Sequence, residues 1–384
     1  MRICLVYDCL FPHTVGGAER WYRNLGERLA REGHEVTYLT LRQWERGADP
    51  RVRGVDVRAV GPQMELYVEG RRRVLPPLVF GVGVLWHLLW HGRRYDAVHT
   101  ASFPYFSLLA AGLLRPMWRY RLVVDWHEVW TRAYWRGYLG AAGGRIGYAV
   151  QRAGVRLRQR AFCFSRLHGQ RLVEEGLRGA PTVLRGEYAG SLEGADAVAA
   201  DDVVVFAGRH IPEKRAPAAV GGIAAARERL PGLRGVVFGD GPERERVLAE
   251  IAARGAGDAI TAPGFVAAEE VDEALRCALC LLAPSEREGY GLVVVEASAR
   301  GTPSVVVAGP DNAMVELVEQ GVNGFVAPSA EPADLAEAIV RVHEEGLALR
   351  ERTAAWFREH VHELSLEGSL ERVVASYAAD SARA

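Results

Sequence analysis

Two glutamates, Glu288 and Glu296, stand either side of Gly289-Tyr290-Gly291-Leu292 in the stretch 284–307, PSEREGYGLVVVEASARGTPSVVV, with seven residues between them. The glycines predict a loop that opens directly into a helix from Leu292, stopped by Gly301 and followed by a buried strand. First-turn N–H groups lack intrahelical acceptors and point from the positive end of the helix dipole, which suits a phosphate. Glu296, four residues on, lies about 6 Å along the axis from that anion seat, roughly the step from a phosphate to its ribose. Its neighbours Val293, Val294, Val295, Ala297 and Ala299 are apolar, so the carboxylate needs partners, and paired sugar hydroxyls are suitable donors. The residues alone equally allow a solvated Glu288 and a Glu296 paired with an arginine.

A second group follows the apolar run Val203–Phe206, in Gly208-Arg209-His210-Ile211-Pro212-Glu213-Lys214-Arg215. Lys214 is the single lysine of the chain, whose other cations are arginines. One compact ammonium kept in a glycine-led strand-to-helix loop is what a phosphate asks for, although chance survival on a solvated face is the plain alternative. A third group lies near the amino terminus, where the apolar run 2–7 leads through Gly16-Gly17 into a helix from Ala18-Glu19. This is strand, glycine loop and helix without the GxGxxG spacing of a nicotinamide site. His127, directly after the strand pattern 121–125, falls at the carboxyl edge of a sheet, where open α/β folds bind ligands; a structural histidine is the other reading.

The run from Pro284-Ser285 through Glu288-Gly289-Tyr290-Gly291-Leu292 to Glu296-Ala297 and Gly301-Thr302-Pro303 resembles the Glu-x7-Glu signature of glycosyltransferase family 4. The resemblance implies a retaining, nucleotide-sugar-dependent enzyme of the GT-B fold: α/β, two Rossmann-like domains facing across a cleft, with a carboxyl-terminal helix crossing back to the first. It gives Glu288 to the donor sugar, Glu296 to the ribose and the Gly291-Leu292 amides to the distal phosphate. Arg209 and Lys214 become a diphosphate clamp, Gly16 and Gly17 a close backbone approach to the same diphosphate, and Phe265-Val266, after Gly264, the main chain that reads the base. His127 would stand near the donor sugar, with Glu128 beside it. Where the family has an Asn-Gly-hydrophobic-Asp turn, this chain has Arg185-Gly186-Glu187-Tyr188, so no donor contact is carried over from that turn.

At 384 residues the chain has length for two domains, each with its own core. The expected division is 1–185 with 366–384, a linker at 186–200, and 201–365. Five cysteines cannot all pair, and Cys277-x-x-Cys280 lies in an apolar run that reads as core, so a reduced, cytoplasmic protein is the simpler expectation. The near-zero net charge hides an asymmetry: residues 1–180 hold 28 arginines against 15 acids, and 181–384 hold 19 cations against 33 acids. The basic half fits an anionic acceptor or membrane surface, and it contains eight of the nine tryptophans, whose rings suit sugars or lipid boundaries. Nucleic acid is not expected, there being neither a basic tail nor a binding motif.

Residues 71–94, RRRVLPPLVFGVGVLWHLLWHGRR, carry an apolar stretch after Pro77 too short to cross a bilayer. Bracketing arginines with Trp86 and Trp90 fit either a buried Rossmann helix or a helix lying in a lipid interface at the inner face of the cell membrane. The expected activity is transfer of a hexose-type sugar from a UDP- or GDP-sugar to a glycan, lipid-linked or small-molecule acceptor, with no metal or other cofactor. No Asp-x-Asp occurs in the chain. A nucleotide-sugar epimerase, a pyridoxal-dependent phosphorylase built on Lys214 and a non-catalytic membrane-docking scaffold are the alternatives.

Overall fold

The computed structural model describes residues 1–14, 16–45, 47–48, 50–68 and 71–381, with the backbone alone for 67–68, 71–72 and 378–381. The chain divides into two units, Met1–Glu187 with Ser369–Ala384, and Tyr188–Gly368. Each is a parallel sheet with helices between its strands.

Unit one is built on β1 (Arg2–Val6), β2 (Glu35–Leu41), β3 (Val55–Gly61), β4 (Ala97–Ala101), β5 (Arg121–Trp126), β6 (Arg160–Cys163) and β7 (Thr182–Val183). They lie in the order β3-β2-β1-β4-β5-β6-β7, every pairing parallel. The helices α1 (Gly17–Arg31), α2 (Leu75–His91), α3 (Tyr105–Trp118), α4 (Arg132–Arg156) and α5 (Arg166–Glu174) connect them. The inner strands are apolar without alternation because helices cover both faces: Ile3, Cys4, Leu5 and Val6 are all buried. In α1, Glu19 occupies the first turn and Arg28 and Arg31 the last, as the helix dipole favours, while Leu25 and Leu29 face the core.

Unit two repeats the design with β8 (Val203–Ala207), β9 (Arg234–Phe238), β10 (Ile260–Gly264), β11 (Cys280–Ala283), β12 (Ser304–Val307) and β13 (Gly324–Ala327), in the order β10-β9-β8-β11-β12-β13. Its helices are α6 (Ala216–Ala226), α7 (Arg244–Ala253), α8 (Ala268–Cys277), α9 (Leu292–Ser298) and α10 (Pro332–Leu364), the last broken at Gly346. Cys280 packs in this core, and the five cysteines are free thiols. In both sheets the strand order reverses between the first and fourth strands, β1/β4 and β8/β11. Open α/β sheets bind ligands at the carboxyl ends of such a pair.

The final helix, α11 (Leu366–Ser381), joins unit one from Ser369 onward. Arg121 donates to the Tyr377 carbonyl at 3.0 Å and Arg160 to that of Ser376 at 3.2 Å. The Tyr377 hydroxyl bonds His99 Nδ1 at 2.8 Å, His99 Nε2 lies 2.9 Å from Asp125, and Asp125 accepts from the Trp21 indole at 2.7 Å. This relay is wholly buried, so each polar group depends on the next. Burial works against the Asp125 carboxylate, but His99, by charge and hydrogen bond, leads the groups that hold it below the ordinary carboxylate range.

Candidate active site

The switch point of unit two collects most of the expected donor residues. The loop after β8 carries Gly208 to Lys214, and the loop after the neighbouring β11 carries Ser285 to Glu288. Glu286 N donates to the Glu213 carbonyl at 2.8 Å, and Arg215 meets the Glu286 carboxylate at 2.9 Å, so the loops are stitched together. That stitching delivers the Lys214 ammonium onto Glu288, 74 positions later in the chain, as a half-buried ion pair. Ser285 Oγ donates to the same carboxylate oxygen at 3.0 Å. Arg209, on the same loop as Lys214, is exposed and forms no ion pair among the described residues. The strand end is held by tight backbone packing: a Cβ at Gly239 would strike the Gly208 carbonyl, and one at Gly241 would lie 2.6 Å from that of His210. Burial holds the His210 imidazole below its ordinary pKa.

Gly291 precedes α9 at φ 107°, the left-handed region that glycine alone enters without strain, and a Cβ there would sit 2.7 Å from Met314 Cγ. Tyr290 is buried under the turn and Gly289 is half-buried. The helix begins at Leu292, as the sequence predicts, and has seven residues. Val294 and Val295 are buried, whereas Glu296 is half-buried and engaged with other residues of the protein. Phe265, directly after β10, stands 86 % exposed, and Val266 is half-buried. The side chain of Phe265 therefore offers a free aromatic face beside the main chain expected to read a base.

Unit one holds its own cluster at the carboxyl edge of its sheet. His127 follows β5 and stacks on Phe164, ring centroids 4.6 Å apart and planes 7° from parallel. The turn beyond it is pinned by buried Gln151, which accepts from the Trp130 amide at 3.0 Å and the Trp135 indole at 3.1 Å and donates to the Trp130 carbonyl at 2.8 Å. Glu128 accepts from the Trp130 indole at 2.7 Å, which makes it part of this turn. Glu187, which the sequence marks only as a departure from a family turn, lies 4.0 Å from His127 Nδ1. Its Oε2 is also 3.9 Å from where a Cβ on Gly17 would stand. Burial first, then the charge of Asp125, pushes the Glu187 carboxyl up to about 7, while burial holds His127 below its ordinary value. Gly16 precedes α1, and the Glu19 carboxylate folds back against it. Gly16, Gly17, His127 and Glu187 therefore form one group in unit one, distinct from the Lys214–Glu288 group in unit two.

Phe103, Trp130, Tyr134 and Tyr138 form a half-buried aromatic cluster beside the His127 turn, with Trp130 centred 4.7 Å from Tyr134 and 5.3 Å from Tyr138. Such faces stack on sugar rings.

Two family models match the chain: "Glycosyl transferases group 1" over residues 196–358 and "Glycosyl transferase 4-like domain" over 16–186. Among curated relatives, a D-inositol 3-phosphate glycosyltransferase of Geodermatophilus obscurus is 35 % identical over 192 residues, covering 47 % of this chain and 41 % of that protein. The chain thus matches less than half the length of that relative. Among solved structures, sucrose-phosphate synthase from Thermosynechococcus elongatus superposes with a TM-score of 0.79 at 19 % identity, covering 100 % of both chains. Anabaena HepE in complex with UDP-glucose gives 0.71 at 17 % identity, over 99 % of this chain and 100 % of that one. These likenesses identify the fold as GT-B. With both halves matched by glycosyltransferase models, the chain belongs to the group 1, family-4-like glycosyltransferases.

Proposed function

We propose that the protein is a retaining glycosyltransferase that moves a hexose-type sugar from a UDP- or GDP-sugar to a glycan or lipid-linked acceptor. The observation that carries this is the Lys214–Glu288 pair at the switch point of unit two, with exposed Arg209 on the same loop as Lys214. A cation held by a carboxylate at the carboxyl edge of the sheet can exchange that partner for a phosphate. The solved Anabaena HepE complexes with UDP and UDP-glucose support a nucleotide-sugar donor.

In this reading Arg209, Lys214 and the amides of Gly291 and Leu292 take the diphosphate, whose negative charge grows as its bond to the anomeric carbon breaks. These groups supply the compensating charge, so no metal is required. Glu288, freed from Lys214, accepts from the sugar hydroxyls, Glu296 holds the ribose, and Phe265 lies against the base. A departing phosphate oxygen takes the proton of the acceptor hydroxyl, and attack on the face just vacated retains the anomeric configuration. Within unit one, His127 and the Gly16-Gly17 backbone lie with Glu187, and the aromatic cluster around Trp130 stacks on a saccharide acceptor. The work is placed at the cytoplasmic face of the cell membrane.

The test is proton NMR of the purified chain with UDP-glucose or GDP-mannose and a panel of glycan and lipid-linked acceptors. The expected result is nucleoside diphosphate release coupled to a product whose new linkage has the donor's anomeric configuration. An inverted product would refute the retaining mechanism, and donor converted to an isomer with no acceptor present would replace transfer with epimerisation.

A further inference from the structure

The apolar helix α2 has two unlike faces. Phe80, Gly81, Val84, His87 and Leu88 are buried, and a Cβ at Gly83 would collide with the Val60 carbonyl, so this side is packed against unit one. Leu75, Leu78, Val82, Trp86 and Trp90 are exposed, the tryptophans by 64 % and 65 %. At 100° per residue these five fall within an arc of about 120°, a stripe roughly 22 Å long. Trp86 and Trp90 meet edge to face at 5.8 Å. The stretch Leu75–Arg94 is long and apolar enough to cross a membrane by length and composition, because the helix starts before Pro77 and continues beyond Trp90. Its packed side makes it a helix of this unit with one face left over.

Charge says what covers that face. Exposed Arg93 and Arg94 follow the tryptophans, and exposed Arg119 ends the adjoining α3; none forms an ion pair among the described residues. Arg73 stands exposed before the helix but is paired with Glu65 at 3.3 Å, while the side chains of Arg71 and Arg72 lie outside the described residues. Between residues 71 and 121 the only acid is Asp96, which is paired with Arg2. Gly92 packs against Trp118, which brings the ends of α2 and α3 together, and Leu113 and Met117 of α3 are exposed near that end. A second copy laid on this face would set cations against cations. A bilayer surface offers phosphates to the arginines and acyl chains to the stripe, with the indoles at headgroup depth.

We propose that the Leu75–Trp90 stripe, flanked by Arg93, Arg94 and Arg119, docks the protein flat on an anionic bilayer. This deepens the lipid-linked acceptor reading, and its test does not pass through sugar transfer. The full chain is sedimented with vesicles of phosphatidylcholine alone or with about 30 % phosphatidylglycerol, the anionic arm that the arginines require. The wild type is expected to favour the anionic vesicles at low salt. Trp86→Ser with Trp90→Ser should lower partition about tenfold or more by removing apolar burial. Arg93→Gln with Arg94→Gln and Arg119→Gln should abolish the preference for anionic lipid. Melting temperature and nucleotide-induced stabilisation, measured on the same proteins, should stay unchanged, which separates docking from folding and from the donor site. Equal partition of the tryptophan variant and wild type overturns the proposal. So does a wild-type dimer that the tryptophan variant splits, with no vesicle binding by either.

Discussion

Replacing Lys214 with alanine and Glu288 with glutamine pulls apart two roles that meet in one ion pair. A single charge-assisted hydrogen bond to a diphosphate contributes about 1.5–3 kcal/mol. Some of that is offset because Lys214 must leave Glu288, so Lys214→Ala should weaken UDP or GDP binding by about tenfold, the low end of the range. Glu288→Gln removes the competing carboxylate, so the nucleotide should bind as tightly as to wild type or tighter. Sugar transfer should nevertheless fall about 100-fold, because the Glu288 carboxylate then no longer accepts from the hydroxyls of the reacting sugar. The lysine variant also leaves Glu288, nearly buried, with the Ser285 hydroxyl, and should lose about 1–3 kcal/mol of stability. Isothermal titration of folded protein with UDP and GDP reads the binding terms, and chemical denaturation reads the stability. Unchanged nucleotide affinity in Lys214→Ala would refute the reasoning. Equal weakening by both substitutions would refute the exchange of partners.

Three further outcomes follow from the geometry. Gly291→Ala forces a left-handed φ on alanine and crowds Met314, and should cost about 1–3 kcal/mol in a urea melt together with nucleotide affinity. Glu187 is an acid raised from an ordinary 4.5 to about 7, so the stability it lends is complete below pH 4.5 and is lost as pH rises towards 7, a fall of roughly 3 kcal/mol. Glu187→Gln should flatten that part of the stability–pH curve, and a parallel curve would contradict the buried carboxyl. Tyr377→Phe deprives buried His99 of its Nδ1 partner and should cost about 1–3 kcal/mol, read as a lower denaturation midpoint without loss of nucleotide binding.

Much of this architecture was legible in the residues because parallel strands buried on both faces leave continuous apolar runs, as at 203–206 and 304–307, each followed by a glycine-bearing loop. The helix start at Leu292 fell where the glycine loop marked it. The pairing of Lys214 with Glu288 was not legible, since it arises from the adjacency of β8 and β11, which strand order alone determines. Glu187 drew attention only as a misfit in a turn; its place beside His127 depends on where the chain leaves β7. The His99–Asp125–Tyr377 relay joins residues 278 positions apart, and nothing local marks it. For α2 the residues left a buried helix and one lying in a lipid interface both open, because it is apolar on nearly all sides; in this sheet only one side finds a neighbour.

A nucleoside diphosphate site in unit two is the central requirement for this activity, and thermal denaturation with UDP, GDP, ADP and dTDP tests it. At a hundredfold excess over the dissociation constant, one of these should stabilise the wild type by about 2.7 kcal/mol, with the gain diminished in Lys214→Ala and Glu296→Ala. No stabilisation by any of the four, or a gain that both substitutions leave intact, would contradict it.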